Sequence, residues 1–196
     1  MLDVAALERC GDAGLRAICE AGVDWLQLRD RSQAGAALLA AADRAVAAAR
    51  SSGGRVRVVV NRRTDVARAA GADGVHLGFD AMRAAQARAL LGVQAWIGVS
   101  LHDPGAVGAE PDTDYAHLAP IFPPLSKTSD RTPLGLAGLR AAGRAGVVVI
   151  AQGGIEPANA REVMAAGAAG VAVTGAIAHA LDPVRAARAL RSALDA

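Results

Sequence analysis

Short apolar runs alternate with longer alanine-rich stretches along almost the whole chain. The segments EAGVDWLQL (20–28), AAGADGVHL (69–77) and AAGAAGVAV (165–173) share one grammar, and EPDTDYAHL (110–118) is a looser copy. Each reads as a helix end, a tight turn and a short apolar strand. In the first three copies a glycine stands where a helix is stopped by a left-handed residue. RVRVVVN (55–61), QAWIGVS (94–100) and GVVVIAQ (146–152) supply three more strands of the same kind. Between them, apolar spacing predicts helices over 4–21, 35–50, 65–70, 81–91, 104–109, 134–145, 159–166 and 183–194.

Valine-rich strands that are apolar on both faces, alternating with helices, indicate a parallel sheet. Strand–helix units of roughly 25 residues fit a TIM (β/α)8 barrel in one domain over residues 1–196. An open doubly wound sheet is the alternative. The eighth strand should precede the first helix, but the chain enters that helix almost at once. The first strand is therefore expected to be very short or missing.

Composition narrows the picture. The 196 residues are 53% hydrophobic and only 3% aromatic, so the core is to be packed by Ala, Val, Leu and Ile. A net charge of +2 gives no electrostatic reason to expect nucleic acid or an anionic membrane as partner. Arg, Asp or Gly interrupts every long apolar run, so no transmembrane helix is expected. The charged, amphipathic opening does not read as a signal peptide, and a cytoplasmic protein is the expectation. Cys10 and Cys19 lie on one predicted helix, more than about 10 Å apart at 1.5 Å per residue, and cannot bond to each other. Apolar surface near residues 1–20 leaves room for a second copy of the chain, which would make a homo-oligomer.

In a barrel of this kind the residues that close each strand converge on one mouth, where catalytic loops gather. Here they are Gln27, Arg29 and Arg31; Asn61 and Arg62; His76 and Asp80; Ser100 and His102; Ser126 and Lys127; Gly153 and Gly154; Thr174 and Gly175. The set is polar and mostly cationic or hydrogen-bond donating, which suits an anionic substrate. Singly, each has a plainer reading. Arg29-Asp30-Arg31 can be a solvated turn, Asn61 a turn residue, His76 a satisfied core histidine, and Gly153-Gly154 ordinary turn glycines. Their convergence favours a phosphate site, because loops after the last two strands of such barrels often hold phosphate on backbone N–H groups. The stretch 119–135, with four prolines, is the longest irregular segment and falls on the same face. No paired-His, CxxC or G-x-S-x-G pattern suggests a metal centre or a nucleophile.

In order along the chain, LQLRDR, VVNRRTDVA, GADGVHLG, IGVSLH, APIFPPLSK…TPLGL and IAQGGI…AGVAVTGAI resemble the blocks of the thiamine phosphate synthase/TenI family. The resemblance runs from about residue 20 to 177 and implies a TIM barrel. It implies transfer of hydroxymethylpyrimidine from its diphosphate to thiazole phosphate, with release of diphosphate. Those two small molecules would be the partners. By position, Gln27 would hold the pyrimidine. Arg29, Arg31, Asn61, Ser100 and Lys127, with Ser126 beside them, would hold the diphosphate. Gly153, Gly154, Thr174 and Gly175 would hold the thiazole phosphate.

The departures bear on cofactors. The family carries Mg2+ carboxylates at the positions of Arg62 and Ala81, so Mg2+ is a doubtful cofactor here. Asp80, one residue early, is a weak candidate ligand, and Arg62 can neutralise diphosphate directly. Pro124 replaces a phosphate-binding Thr. The TenI-like branch implies a thiazole tautomerase, whose catalytic His position is Pro120 here. His117 and His102 are the nearest alternatives. A non-catalytic protein binding thiazole phosphate or thiamine phosphate is the third reading.

Overall fold

The computed structural model describes residues 1–124, 130–143 and 146–196. Its elements follow as α1 (Val4–Glu20), β1 (Trp25–Leu28), α2 (Gly35–Ser51), β2 (Arg57–Asn61), α3 (Thr64–Ala69), β3 (Gly74–Leu77), α4 (Ala84–Leu91), β4 (Trp96–Leu101), β5 (Tyr115–Leu118), α5 (Gly135–Ala142), β6 (Val148–Gln152), α6 (Pro157–Ala165), β7 (Gly170–Ala172), α7 (Gly175–Ala178) and α8 (Pro183–Asp195). The seven strands lie in chain order and every pairing is parallel. The sheet curls on itself with the helices outside, giving the expected barrel.

The short first strand is real. Leu2 makes a single parallel bridge with Leu28, donating to Gln27 O at 2.9 Å and accepting from Arg29 N at 2.8 Å. On the other side Met1 N donates to Val173 O at 2.6 Å, just beyond β7. Two residues thus span the upper part of the seam between β7 and β1. Below them, among Trp25, Trp96, Ile150 and Val171, a cavity of about 420 Å3 remains.

The repeat grammar has a physical basis. Its turn position takes positive φ at Gly22, Gly71 and Gly167, and in the looser copy at Asp112 (φ 64), one of only two non-glycine residues among those described to do so. Asp and Asn tolerate that conformation best after Gly. Two residues later, Asp73 and Asp114 accept from N–H groups of the second residues of the preceding strands, Val58 N and Ile97 N, each at 2.7 Å. The turn of one unit therefore pins the start of the previous strand and helps fix the register.

Alanine-faced helices pack on the sheet, and α1 lies against α2, where Arg44 bridges Glu8 and Asp12. Inside the barrel, three of the chain's five aromatic residues meet: Trp25 stands edge-on to Tyr115 (4.7 Å) and to Trp96 (5.1 Å). Gly98 makes room for this plug, since a Cβ there would lie 2.1 Å from Tyr115 Cζ.

Several predicted helices differ. α1 is broken at Gly11 (φ 62), so Cys10 and Cys19 flank a kink; both are free, and Cys19 is buried. The helix predicted from residue 81 starts at Ala84, where Gln86 Oε1 accepts from Arg83 N at 3.0 Å. The segment 104–109 is only a 3-10 turn, Pro104–Ala106, because Asp103 accepts from Gly105 N and Gly108 turns out at positive φ. Predicted helix 134–145 is described as far as Ala142. The short α7 was not anticipated. Among the described residues no helix is long and apolar enough to cross a membrane.

Candidate active site

The carboxyl ends of the strands enclose a cavity of about 620 Å3, of a size for two small ring compounds. Gln27, Arg29, Arg31, Asn61, Asp80, Ser100, Gly153, Gly154, Thr174 and Gly175 all line it, as the sequence pattern predicts. Arg62 stands behind its wall. Ser126 and Lys127 lie outside the described residues.

β1 delivers Gln27 and the two arginines. Gln27 is only 5% exposed, and neither its Oε1 nor its Nε2 has a partner within the protein. A buried amide with both ends open is costly without compensation, so a ligand that both donates and accepts would complete it. Asp30 turns the chain here: it accepts from Val4 N (3.2 Å), Ser32 N (2.9 Å) and Ser32 Oγ (2.7 Å). That tie leaves the flanking Arg29 and Arg31 to face the cavity. Burial, and then the nearby Arg31 and Arg62, lower the pKa of Arg29 below its ordinary value. Clustered like charges of this kind favour a polyanion.

The middle layer is a polar network. Asn61 Nδ2 and Arg62 N both donate to His76 O, at 3.3 and 2.8 Å. His76 is buried, with Nδ1 3.2 Å from the Tyr115 hydroxyl and Nε2 2.9 Å from Ser100 Oγ. His117 packs against it (ring centroids 4.1 Å) and places Nδ1 3.2 Å from Gln152 Oε1. Burial holds the pKa of His76 well below its ordinary value, with His117 and Arg29 adding to the effect. Burial lowers His117 to about 4. Both rings are therefore neutral at physiological pH. His76 is at once a satisfied core histidine and a cavity residue, so the two sequence readings were not exclusive.

On the far side, the loops after β6 and β7 are backbone surfaces. Gly153 (φ 98) and Gly154 (φ 64) run so close to the β5–α5 loop that a Cβ would lie 2.9 Å from Pro120 Cα or 2.5 Å from Pro123 O. Asn159 Nδ2 holds Gly154 O at 2.9 Å. Thr174 leads into α7, whose first residues Gly175 and Ala176 face the same space.

Among the cavity residues absent from the sequence reading are Arg131, Phe79 and Gln152. Arg131 lies in the proline-rich loop, where a cation four residues past Lys127 was the available signal. Phe79 is 65% exposed at the rim and stacks on His102 at 4.6 Å. Gln152, the last residue of β6, lines the cavity with Oε1 3.2 Å from His117 Nδ1, a contact between strands that no local pattern marks.

The donor set does not fit a Mg2+ ion. Mg2+ asks for hard oxygen ligands in near-octahedral array. Position 62 is Arg, position 81 is Ala, and the Asp80 carboxylate is engaged by Arg62 Nη1 at 2.5 Å. Among the described residues no three His, Cys, Asp or Glu side chains cluster to hold a metal.

A parallel barrel with a cationic mouth on one side and a glycine-lined loop pair on the other is the layout of a barrel that handles phosphorylated substrates. Residues 6–177 match the family model described as thiamine monophosphate synthase. A thiamine-phosphate synthase of Albidiferax ferrireducens is 46% identical over 144 residues, spanning 72% of this chain and 66% of that protein. A putative thiamine-phosphate synthase of Geobacter sulfurreducens is 43% identical over 176 residues, 88% of this chain and 82% of the relative. Among solved structures, thiamine phosphate pyrophosphorylase from Pyrococcus furiosus superposes with a TM-score of 0.83 at 30% identity, over 94% of this chain and 89% of that chain. The chain belongs to the thiamine monophosphate synthase family.

Proposed function

We propose that this protein transfers hydroxymethylpyrimidine from its diphosphate to thiazole phosphate, forming thiamine phosphate and diphosphate. The observation that carries the reading is the juxtaposition of Gln27, with both amide atoms unpartnered, and the arginines 29 and 31 in one cavity. A pyrimidine carrying an amino group offers both an acceptor and a donor to that amide, and its diphosphate meets the cations. The C–O bond to diphosphate breaks with its electron pair on oxygen, and the thiazole nitrogen lone pair then forms the new C–N bond. No oxidant or reductant is needed. Arg29, Arg31 and Lys127 stabilise the departing charge, with Ser100 and Asn61 as neutral donors and Ser126 beside them. Gly153, Gly154, Thr174 and Gly175 take the thiazole phosphate on backbone N–H groups.

The tautomerase reading needs a general base within reach of a ring proton. Pro120 carries none, and His117 is a weak base at a pKa of about 4 with Nδ1 directed at Gln152. His102, which lines the cavity with Nδ1 2.5 Å from Ala119 O, is the remaining candidate base, and the failure of the other two weighs for transfer. Incubating the protein with both substrates and following thiamine phosphate by chromatography tests it. Product is the expected result, and Lys127→Ala should abolish it while thiazole phosphate still binds in calorimetry. Absence of product with intact thiazole phosphate binding would refute transfer and leave isomerisation or simple binding.

A further inference from the structure

We infer that Arg62, held by Asp80, takes the part of a divalent cation at the leaving diphosphate, so that this chain engages diphosphate without Mg2+. The inference rests on the transfer reading above.

Arg62 follows directly on β2 with its N–H on His76 O and a left-handed backbone (φ 65), an uncommon conformation for this residue type. The turn sends its side chain along Gly78, where a Cβ would lie 3.8 Å from Arg62 Cγ, and brings Nη1 to Asp80 Oδ2 at 2.5 Å. Gly78 and Asp80 both line the cavity. Arg62 is close enough to Arg29 to disfavour its charge. The guanidinium therefore stands just behind the Gly78 and Asp80 wall of the cavity, on the Arg29 side, where a diphosphate against that wall would meet its charge.

The pair is partly exposed, 31% for Arg62 and 58% for Asp80, and an exposed ion pair contributes little by itself. Its use is orientation. Arg offers five donors in a rigid fork, and the Asp80 contact engages Nη1, so donors remain for phosphate oxygens. A metal meets the opposite conditions. Asp80 is already neutralised, and three guanidiniums at Arg29, Arg31 and Arg62 repel an entering divalent cation.

Titration calorimetry of inorganic diphosphate in EDTA and in excess Mg2+ tests this. Wild type is expected to bind in EDTA, with no gain from Mg2+. Arg62→Ala should weaken binding by about tenfold or more, the worth of a charge-assisted hydrogen bond. Arg62→Asp should make binding require Mg2+. Asp80→Asn, which releases Arg62 from its fixed orientation, should weaken the binding measured in EDTA, whereas a metal-ligand role predicts loss of a Mg2+-dependent component only. Binding by wild type only in Mg2+, or Arg62→Ala binding as wild type does, would overturn the inference. Thiamine phosphate formed only with Mg2+ would sink it while sparing the transfer reading. Metal-free diphosphate binding without any product would do the reverse.

Discussion

His76 Nε2 lies 2.9 Å from Ser100 Oγ, while its Nδ1 lies 3.2 Å from the Tyr115 hydroxyl. A neutral imidazole has one donor and one acceptor nitrogen, so the ring fixes the direction of the Ser100 hydroxyl from below. His76→Ala should unpair the buried Tyr115 hydroxyl and the half-buried Ser100 hydroxyl and open a cavity, costing about 2–4 kcal/mol in urea unfolding. It should also lower turnover by about tenfold through misplacement of Ser100. Ser100→Ala added to His76→Ala should then cost less than it does in wild type. Full additivity would mean that His76 acts on stability alone.

The same burial sets a pH dependence. The folded pKa of His117 is lowered from 6.5 to about 4, and that of His76 lies well below 6.5. Between those values the unfolded chain binds more protons than the folded one. Stability is therefore fully present above pH 6.5 and is lost as the pH falls towards 4. The urea midpoint at pH 5 should lie clearly below that at pH 7, and replacing both histidines by Gln should flatten the difference.

Gln27 sets stability against function. Its buried amide has no protein partner, so Gln27→Met should stabilise the free protein by about 1 kcal/mol. Turnover should fall sharply in the same variant. A variant that is both less stable and fully active would remove Gln27 from substrate contact.

Gly154 tests the phosphate loop. A Cβ there would meet Pro123 O at 2.5 Å on a backbone with φ 64. Gly154→Ala is expected to destabilise by about 1–3 kcal/mol and to weaken thiazole phosphate binding by about tenfold, read by calorimetry. Unaltered affinity would place the phosphate elsewhere.

The sequence was most informative where a backbone rule forces a residue type. The glycine stops at 22, 71 and 167 revealed the repeat, the repeat revealed the barrel, and the strand ends then gave about half of the residues that line its mouth. What stayed hidden depends on contacts distant in sequence. Nothing near Asp80 shows that Arg62, on another strand end, will occupy its carboxylate. The join between Met1 and Val173 spans 172 residues. Helix ends at 84 and 106 were missed because local capping by Gln86 and Asp103 outweighed propensity.

Among the described residues every strand pairs with its neighbour in the chain, and within the sheet it is the seam between β7 and β1 that joins distant segments. Such an order lets each unit settle on the one made before it, at modest loop-closure entropy, whereas the seam carries the full cost of ring closure. Until it closes, two strand edges stay open to pairing with other chains. The weakest line in native-state hydrogen exchange should therefore run between β7 and β1, and misassembly during synthesis should begin there.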